Sequence, residues 1–162
     1  MDAFPMCPEC GREYHDPSSR RHHAQTIACA SCGPRLRLLD REGNDISAGD
    51  IIAETARLLD AGYIVAIRGI GGFHLACIES SASRLKQSLG RSEQPFAVMV
   101  RPDAIDRIAV LTAEDRLILE SCQRPIVVLE KRDPDAHADI SSLHTIGCML
   151  PYTGLHHLLF SQ

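Results

Sequence analysis

Residues 7–33 read C-P-E-C-G-R-E-Y-H-D-P-S-S-R-R-H-H-A-Q-T-I-A-C-A-S-C-G, two C-x-x-C pairs, Cys7 with Cys10 and Cys29 with Cys32, separated by eighteen residues. Two such pairs at this spacing are the ligand pattern of a four-thiolate zinc site, in which each pair aims two sulfurs at one ion from a tight turn. A glycine follows each pair, Gly11 and Gly33, and is read as the residue that lets the backbone turn sharply beside the metal. So short a segment has almost no apolar core, so the bound metal supplies the folding free energy that burial does not. Disulfides are the competing reading. The start M-D-A-F-P-M-C, with neither a basic stretch nor an apolar run, does not look like a secretory signal and favours thiolates on zinc. His22 and His23, between the pairs, are alternative nitrogen ligands, but four thiolates already close a tetrahedral structural site.

Outward from this stretch, 162 residues make room for one ordinary domain plus a small appendage, with residues 1–41 as the zinc-finger region and 42–162 as the larger unit. Hydrophobic residues at 44% and charged ones at 23% fit a globular, cytoplasmic protein, and no apolar run is long enough to span a bilayer. The formal net charge of −4 gives no global electrostatic case for nucleic acid. The finger region does not supply one either: six arginines stand against five acidic residues in 1–41, and four thiolates on zinc add further negative charge. The run Arg20, Arg21, His22, His23 reads as a solvated face or as support for the zinc ligands. Cys77, Cys122 and Cys148 lack C-x-x-C partners and read as core or half-buried thiols.

The larger unit alternates strand and helix patterns, which predicts an α/β or α+β layer structure. R-L-R-L-L-D, 35–40, reads as a short strand closed by the turn E-G-N-D. Residues 47–61 place Ile51, Ile52, Thr55, Leu58 and Leu59 on one helical face, with Gly62 as cap. Y-I-V-A-I, 63–67, reads as a buried strand and F-H-L-A-C-I, 73–78, as a second, with Gly69-Ile70-Gly71-Gly72 between them. A helix over 82–89, a strand over 95–100 and a helical segment from Pro102 follow. T-A-E-D, 112–115, is a capping-box variant opening a helix to about residue 122, and P-I-V-V-L-E-K, 125–131, is the next strand. Residues 133–139 form a loop, and L-P-Y-T-G-L-H-H-L-L-F, 150–160, is a turn entering an amphipathic helix.

The glycine loop offers backbone N–H groups to an anion but lacks the spacing of a P-loop or a dinucleotide fingerprint, and a tight hairpin explains it equally well. Arg68 before the loop and His74 after it are in reach of a phosphate or carbonyl oxygen. Arg91, between a helix end and a strand, is placed to clamp a phosphate by two parallel hydrogen bonds. His156 and His157 diverge by about 100° on a helix and do not chelate one ion. Sequence spacing identifies no catalytic nucleophile or triad.

Taken together, C-P-E-C-G-R-E-Y-H-D-P with R-R-H-H-A-Q and A-C-A-S-C-G-P, then I-V-A-I-R-G-I-G-G-F-H-L-A-C, P-F-A-V-M, R-P-I-V-V-L and M-L-P-Y-T-G-L-H-H-L-L, resemble the HypF-type carbamoyltransferases of nickel–iron hydrogenase maturation. The resemblance implies a finger repeat followed by part of a YrdC-like twisted-sheet domain, truncated at its C-terminus, within a larger set of modules that includes a transferase. It implies structural Zn2+ on Cys7, Cys10, Cys29 and Cys32, and ATP and carbamoyl phosphate as substrates giving carbamoyl adenylate. The implied partner is a maturation protein that accepts the carbamoyl group on a cysteine. Arg91 matches a phosphate-holding arginine of the YrdC-like domain. Three positions depart from the family pattern: Arg68 stands for a lysine before G-I-G-G, Leu89 for the lysine of a Lys-x-Arg pair, and Gln94 for a lysine before P-F-A-V-M. The resemblance also leaves two alternatives, a YrdC-like module binding double-stranded RNA or transfer RNA, and a threonylcarbamoyl-adenylate synthase.

Overall fold

A computed structural model of the chain describes residues 5–69, 71–91 and 93–162. It divides into two compact units, Met1–Ser47 and Ala48–Gln162. The expected α/β (α+β) organisation, a cysteine-rich unit followed by a sheet domain, is what the structure shows.

In the first unit the pair Cys7/Cys10 does not form the expected hairpin. Cys7 is the N-cap of helix α1 (Pro8–His15), Pro8 occupies the first turn, where its missing N–H costs nothing, and Cys10 is buried on the inner side. Gly11 therefore continues a helix, its N–H bonded to the Cys7 carbonyl at 2.9 Å, and makes no sharp turn. The second pair does form a tight turn, in which the Gly33 N–H reaches the Cys29 carbonyl at 2.6 Å. The strand expected over 35–40 is reduced to one antiparallel bridge between Leu39 and Asp45. Among the described residues no neighbouring strand extends it. The turn is fixed by side chains instead: Asp40 accepts from the backbone N–H groups of Glu42 and Asn44, and Arg37 forks onto Asp45 at 2.9 and 2.8 Å.

In the second unit, helix α2 (Ile51–Asp60) starts at Asp50, whose carboxylate accepts from the N–H groups of Ile52 and Ala53. It ends as expected, with Gly62 at φ +85°. Strands β1 (Val65–Arg68) and β2 (Phe73–Ala76) form a separate antiparallel hairpin in the register Val65 with Ala76 and Arg68 with Phe73. Residues 63–67 were expected to be buried, but β1 alternates half-buried and exposed positions because, among the described residues, β2 is its only strand partner.

Helix α3 (Ala82–Leu89) follows a 3-10 turn and stops at Gly90, which adopts φ +64°. The remaining strands are β3 (Ala97–Met99), β4 (Ala109–Val110), β5 (Val127–Lys131) and β6 (Thr145–Met149), in the order β3-β6-β5-β4. β3 runs parallel to β6 and the other two pairings are antiparallel. Where a longer helical segment was expected after Pro102 there is only a 3-10 turn, Ile105–Arg107. Helix α4 (Ala113–Glu120) carries the full capping box, with Thr112 and Asp115 bonding each other's backbone N–H. Helix α5 (Gly154–Phe160) closes the described chain.

The core lies on one face of the four-stranded sheet, where Leu129, Ile146 and Cys148 meet Val100, Ile105, Ala109, Leu119, Ile140 and Leu150. The return from β5 to β6 is held by a buried lysine: Lys131 Nζ donates to the Ser141 carbonyl at 2.7 Å, and Ser141 Oγ donates to the Thr145 carbonyl at 2.7 Å. Among the described residues no helix is long and apolar enough to cross a membrane. Of the three unpaired cysteines, Cys148 is buried and Cys77 half-buried as expected, whereas Cys122 is exposed at the end of α4.

Ile146 is 1% exposed and Val128, on the opposite face of the neighbouring strand, is 68% exposed. Ile146→Ala should therefore cost about 2–5 kcal/mol of unfolding free energy in urea, and Val128→Ala no more than about 0.5 kcal/mol.

Candidate functional site

The helix α1 terminus and the Cys29–Gly33 turn bring four sulfurs together. The ligand atoms of Cys7, Cys10, Cys29 and Cys32 all lie within 4.8 Å of one another. Three of the separations are 3.5 Å for Cys7–Cys29, 3.6 Å for Cys10–Cys32 and 3.9 Å for Cys29–Cys32. A tetrahedron with metal–sulfur bonds of about 2.3 Å has edges of about 3.8 Å, so the sulfurs stand at the spacing of a closed metal site. They stand too far apart for disulfides, whose sulfurs approach to about 2.05 Å. The donor set and the spacing fit a structural zinc ion.

The electrostatics of the cluster are uneven. The Cys29 thiol is lowered to about 6, first by backbone hydrogen bonds from Cys32 and Ser31. The Cys10 thiol is pushed up to about 12, first by burial and then by hydrogen bonds to the neighbouring sulfurs. Arg21 braces the same region by donating to Glu13 at 2.5 Å and to the Ala28 carbonyl at 2.7 Å, which ties α1 to the approach of the second pair. His22 and His23 lie outside the sulfur cluster. Their rings meet at a tilt, and His23 stacks on Tyr14.

In the second unit, Arg68 ends β1 and His74 sits in β2 opposite Ile67, so both belong to the glycine hairpin. The hairpin is closed by the Gly69 N–H on the Gly72 carbonyl at 2.7 Å. Ile70, also read as part of this loop, lies outside the described residues. Both Arg68 and His74 are exposed. Arg91 follows the left-handed Gly90, its N–H bonded to the Lys86 carbonyl at 3.0 Å and its side chain exposed. Among the described residues no hydrogen bond joins Arg91 to Arg68 or His74. His74 instead meets α5: its Nε2 is 3.2 Å from the Tyr152 hydroxyl, and its ring stacks on His156 with centroids 5.9 Å apart.

Residues 57–162 match the Sua5/YciO/YrdC family, described as telomere recombination, and residues 6–39 match the family described as the HypF finger. The chain belongs to the Sua5/YciO/YrdC family. It is similar to HypF proteins along its length, with a finger match followed by a YrdC-like match. It is 42% identical over 162 residues to the carbamoyltransferase HypF of Rhodobacter capsulatus, covering 98% of this chain and 22% of that protein. It is 43% identical over 213 aligned positions to a probable carbamoyltransferase HypF of Methanocaldococcus jannaschii, covering 97% of this chain and 28% of that one. Two solved structures share its fold. The HypF of T. kodakarensis does so at 42% identity and a TM-score of 0.85, covering 100% of this chain and 22% of the other. A full-length HypF in its phosphate- and nucleotide-bound form does so at 40% identity and a TM-score of 0.82, covering 99% and 22%. The chain thus spans about a fifth to a quarter of the length of its relatives.

Within this YrdC-like unit, Tyr152 and His156 are the site candidates that sequence reasoning missed. The adjacency of His156 and His157 argued only against chelation. The available signal was Thr153, a helix N-cap whose hydroxyl accepts from the His156 N–H and which starts α5 directly after Tyr152.

Two predictions follow from this geometry. A Cβ on Gly33 would lie 2.7 Å from the Cys29 carbonyl oxygen, whereas one on Gly11 meets nothing within 4 Å. Gly33→Ala should weaken metal retention against a competing chelator by about tenfold or more, and Gly11→Ala should change it by less than about twofold. His156 is held below its ordinary pKa of 6.5, first by burial and then by the charges of His74 and His157. The unfolded chain therefore takes up a proton that the folded ring resists. Stability should fall as pH drops through about 6.5 and be indifferent to this group above it, and His156→Gln should remove that part of the slope in pH-dependent urea titrations.

Proposed function

We propose that the chain is the finger and nucleotide-handling part of a carbamoyltransferase of hydrogenase maturation, with a structural zinc ion in the finger and carbamoyl phosphate and ATP as ligands of the YrdC-like unit. One observation carries this reading: 42% identity to the R. capsulatus carbamoyltransferase HypF across 98% of the chain. The likeness to a HypF crystallised in a phosphate- and nucleotide-bound form supports the choice of ligand class.

On this reading Cys7, Cys10, Cys29 and Cys32 hold the metal, which supplies folding free energy and no chemistry. The glycine hairpin presents backbone N–H groups to an anion, with Arg68 and His74 beside it and Arg91 as a second cation at the end of α3. Carbamoyl phosphate and water would first give carbamate and phosphate, and in the YrdC-like unit the carbamate oxygen would attack the α-phosphorus of ATP, forming carbamoyl adenylate and releasing pyrophosphate. The carbamoyl group would pass to a cysteine of a maturation partner through a transferase module, which in the relatives would lie in the three-quarters of their length outside the match. Arg68 keeps the charge of the family lysine but presents a planar fork, while Leu89 and Gln94 carry no charge where the family has lysines. Ligand affinity is accordingly expected to be lower than with lysines at these positions.

The purified chain should hold one zinc per polypeptide by elemental analysis, and should lose it when Cys29 is replaced by serine. Titration with ATP and carbamoyl phosphate, following bound ligand and pyrophosphate release, tests the catalytic half. Saturable binding of both supports the reading. Absence of binding to either at millimolar concentration refutes it.

A further inference from the structure

The sulfurs of the finger approach one another more closely across the two C-x-x-C pairs than within the second pair. Cys7 and Cys29 stand 3.5 Å apart and Cys10 and Cys32 3.6 Å, whereas Cys29 and Cys32 stand 3.9 Å apart. The two short separations use each sulfur once. Both run from the start of α1 to the Cys29–Gly33 turn and join positions 22 residues apart. The sulfurs are also open to small molecules. Cys7, Cys29 and Cys32 are half-buried, and Cys10, although 1% exposed, lines an open groove of about 810 Å³ together with Cys29. A small oxidant in that groove meets one sulfur of each pair.

Thiolates reduce peroxides. One sulfur attacks the peroxide O–O bond, forming an S–O bond and releasing hydroxide. The facing sulfur of the other pair then attacks that sulfur, forms the S–S bond and expels the second hydroxide. Each disulfide thus passes two electrons from two thiolates to one peroxide molecule, and two such reactions consume all four metal ligands. The sulfurs of each cross-pair need to close by only about 1.5 Å to reach the disulfide bond length. Chain topology favours the same connectivity. A bond within a C-x-x-C pair closes a loop over two intervening residues and leaves α1 unlinked to the second pair. A cross-pair bond spans 22 positions and removes far more freedom from the unfolded chain.

We propose that Cys7, Cys10, Cys29 and Cys32 are an oxidation site whose products are the cross-pair disulfides Cys7–Cys29 and Cys10–Cys32, so that a peroxide exchanges a metal staple for a covalent one and leaves the first unit folded. Thiol reductants reverse the exchange by attacking either disulfide, which restores the four ligands. This goes beyond the structural role proposed above for the metal and rests on it, because the exchange begins from the metal-bound cluster.

The test uses the full chain carrying Cys122→Ser, which removes the exposed thiol at the end of α4, loaded with zinc and treated with hydrogen peroxide. Trypsin leaves Cys7 and Cys10 together on residues 1–12 and Cys29 and Cys32 together on residues 22–35, so tandem mass spectrometry of the non-reduced digest reads the connectivity directly. The expected result is a cross-linked pair of these two peptides, bonded Cys7–Cys29 and Cys10–Cys32, with complete release of the zinc. In the oxidised chain the Gly11 and Gly33 amides should exchange at least about tenfold more slowly than in the reduced, chelated chain. Any other connectivity, oxidation that stops at sulfenic or sulfinic acid, or cross-linked chains whose Gly11 and Gly33 amides exchange as fast as in the reduced, chelated chain, each overturns the inference while leaving the zinc reading standing. A reduced chain that holds no zinc overturns the metal reading and this inference together, and that result is read before peroxide is added.

Discussion

Four sulfurs at tetrahedral spacing hold the first unit together, because little else there does. Among its described residues only Cys10 and Leu38 are buried apolar side chains, and one of these is itself a ligand candidate. The remaining order comes from polar links at the surface, the Arg21 brace and the Arg37–Asp45 fork, and ion pairs that solvent screens contribute little. Such a unit cannot offset its chain entropy by burial. Without metal the cluster is also electrostatically divided, with the Cys29 thiol lowered by backbone hydrogen bonds and the Cys10 thiol raised by burial. A divalent cation resolves that division by taking all four as thiolates.

The second unit is built on a different principle. Its mixed sheet buries one face through alternate residues of β5 and β6, and polar ties fix the connections between strands. Lys131 is the main example, a buried cation whose charge is met by the Ser141 carbonyl. The glycine hairpin stands outside that sheet and is tied to α5 by the His74–Tyr152 hydrogen bond and the stack on His156. The likeness to HypF structures covers essentially the whole chain, so the two principles of construction belong to one family design.

Local chemistry made much of this legible in the sequence. The two C-x-x-C pairs, the left-handed glycine at 62 and the capping box at Thr112 all follow from bonds between near neighbours in the chain, and all appear in the structure. Non-local features were not legible. Strand β6 was missed although it is the centre of the sheet, because T-I-G-C-M is short and carries a glycine that reads as a breaker. That glycine is there because Ile126 packs 3.1 Å from where its Cβ would be. The strand expected over 35–40 failed for the converse reason, alternation without a partner to pair with. The Tyr152–His74 pairing spans 78 residues and has no sequence period at all.

The dependence of the first unit on its metal is best tested by hydrogen–deuterium exchange of the chain before and after chelation. The expected result is that the amides of residues 11–15 and of Gly33 lose their protection when the metal is removed, while those of β5 and β6 keep theirs. Unchanged protection of the Gly11 and Gly33 amides in the metal-free chain would contradict the claim that the sulfur cluster, through its metal, is what folds this unit.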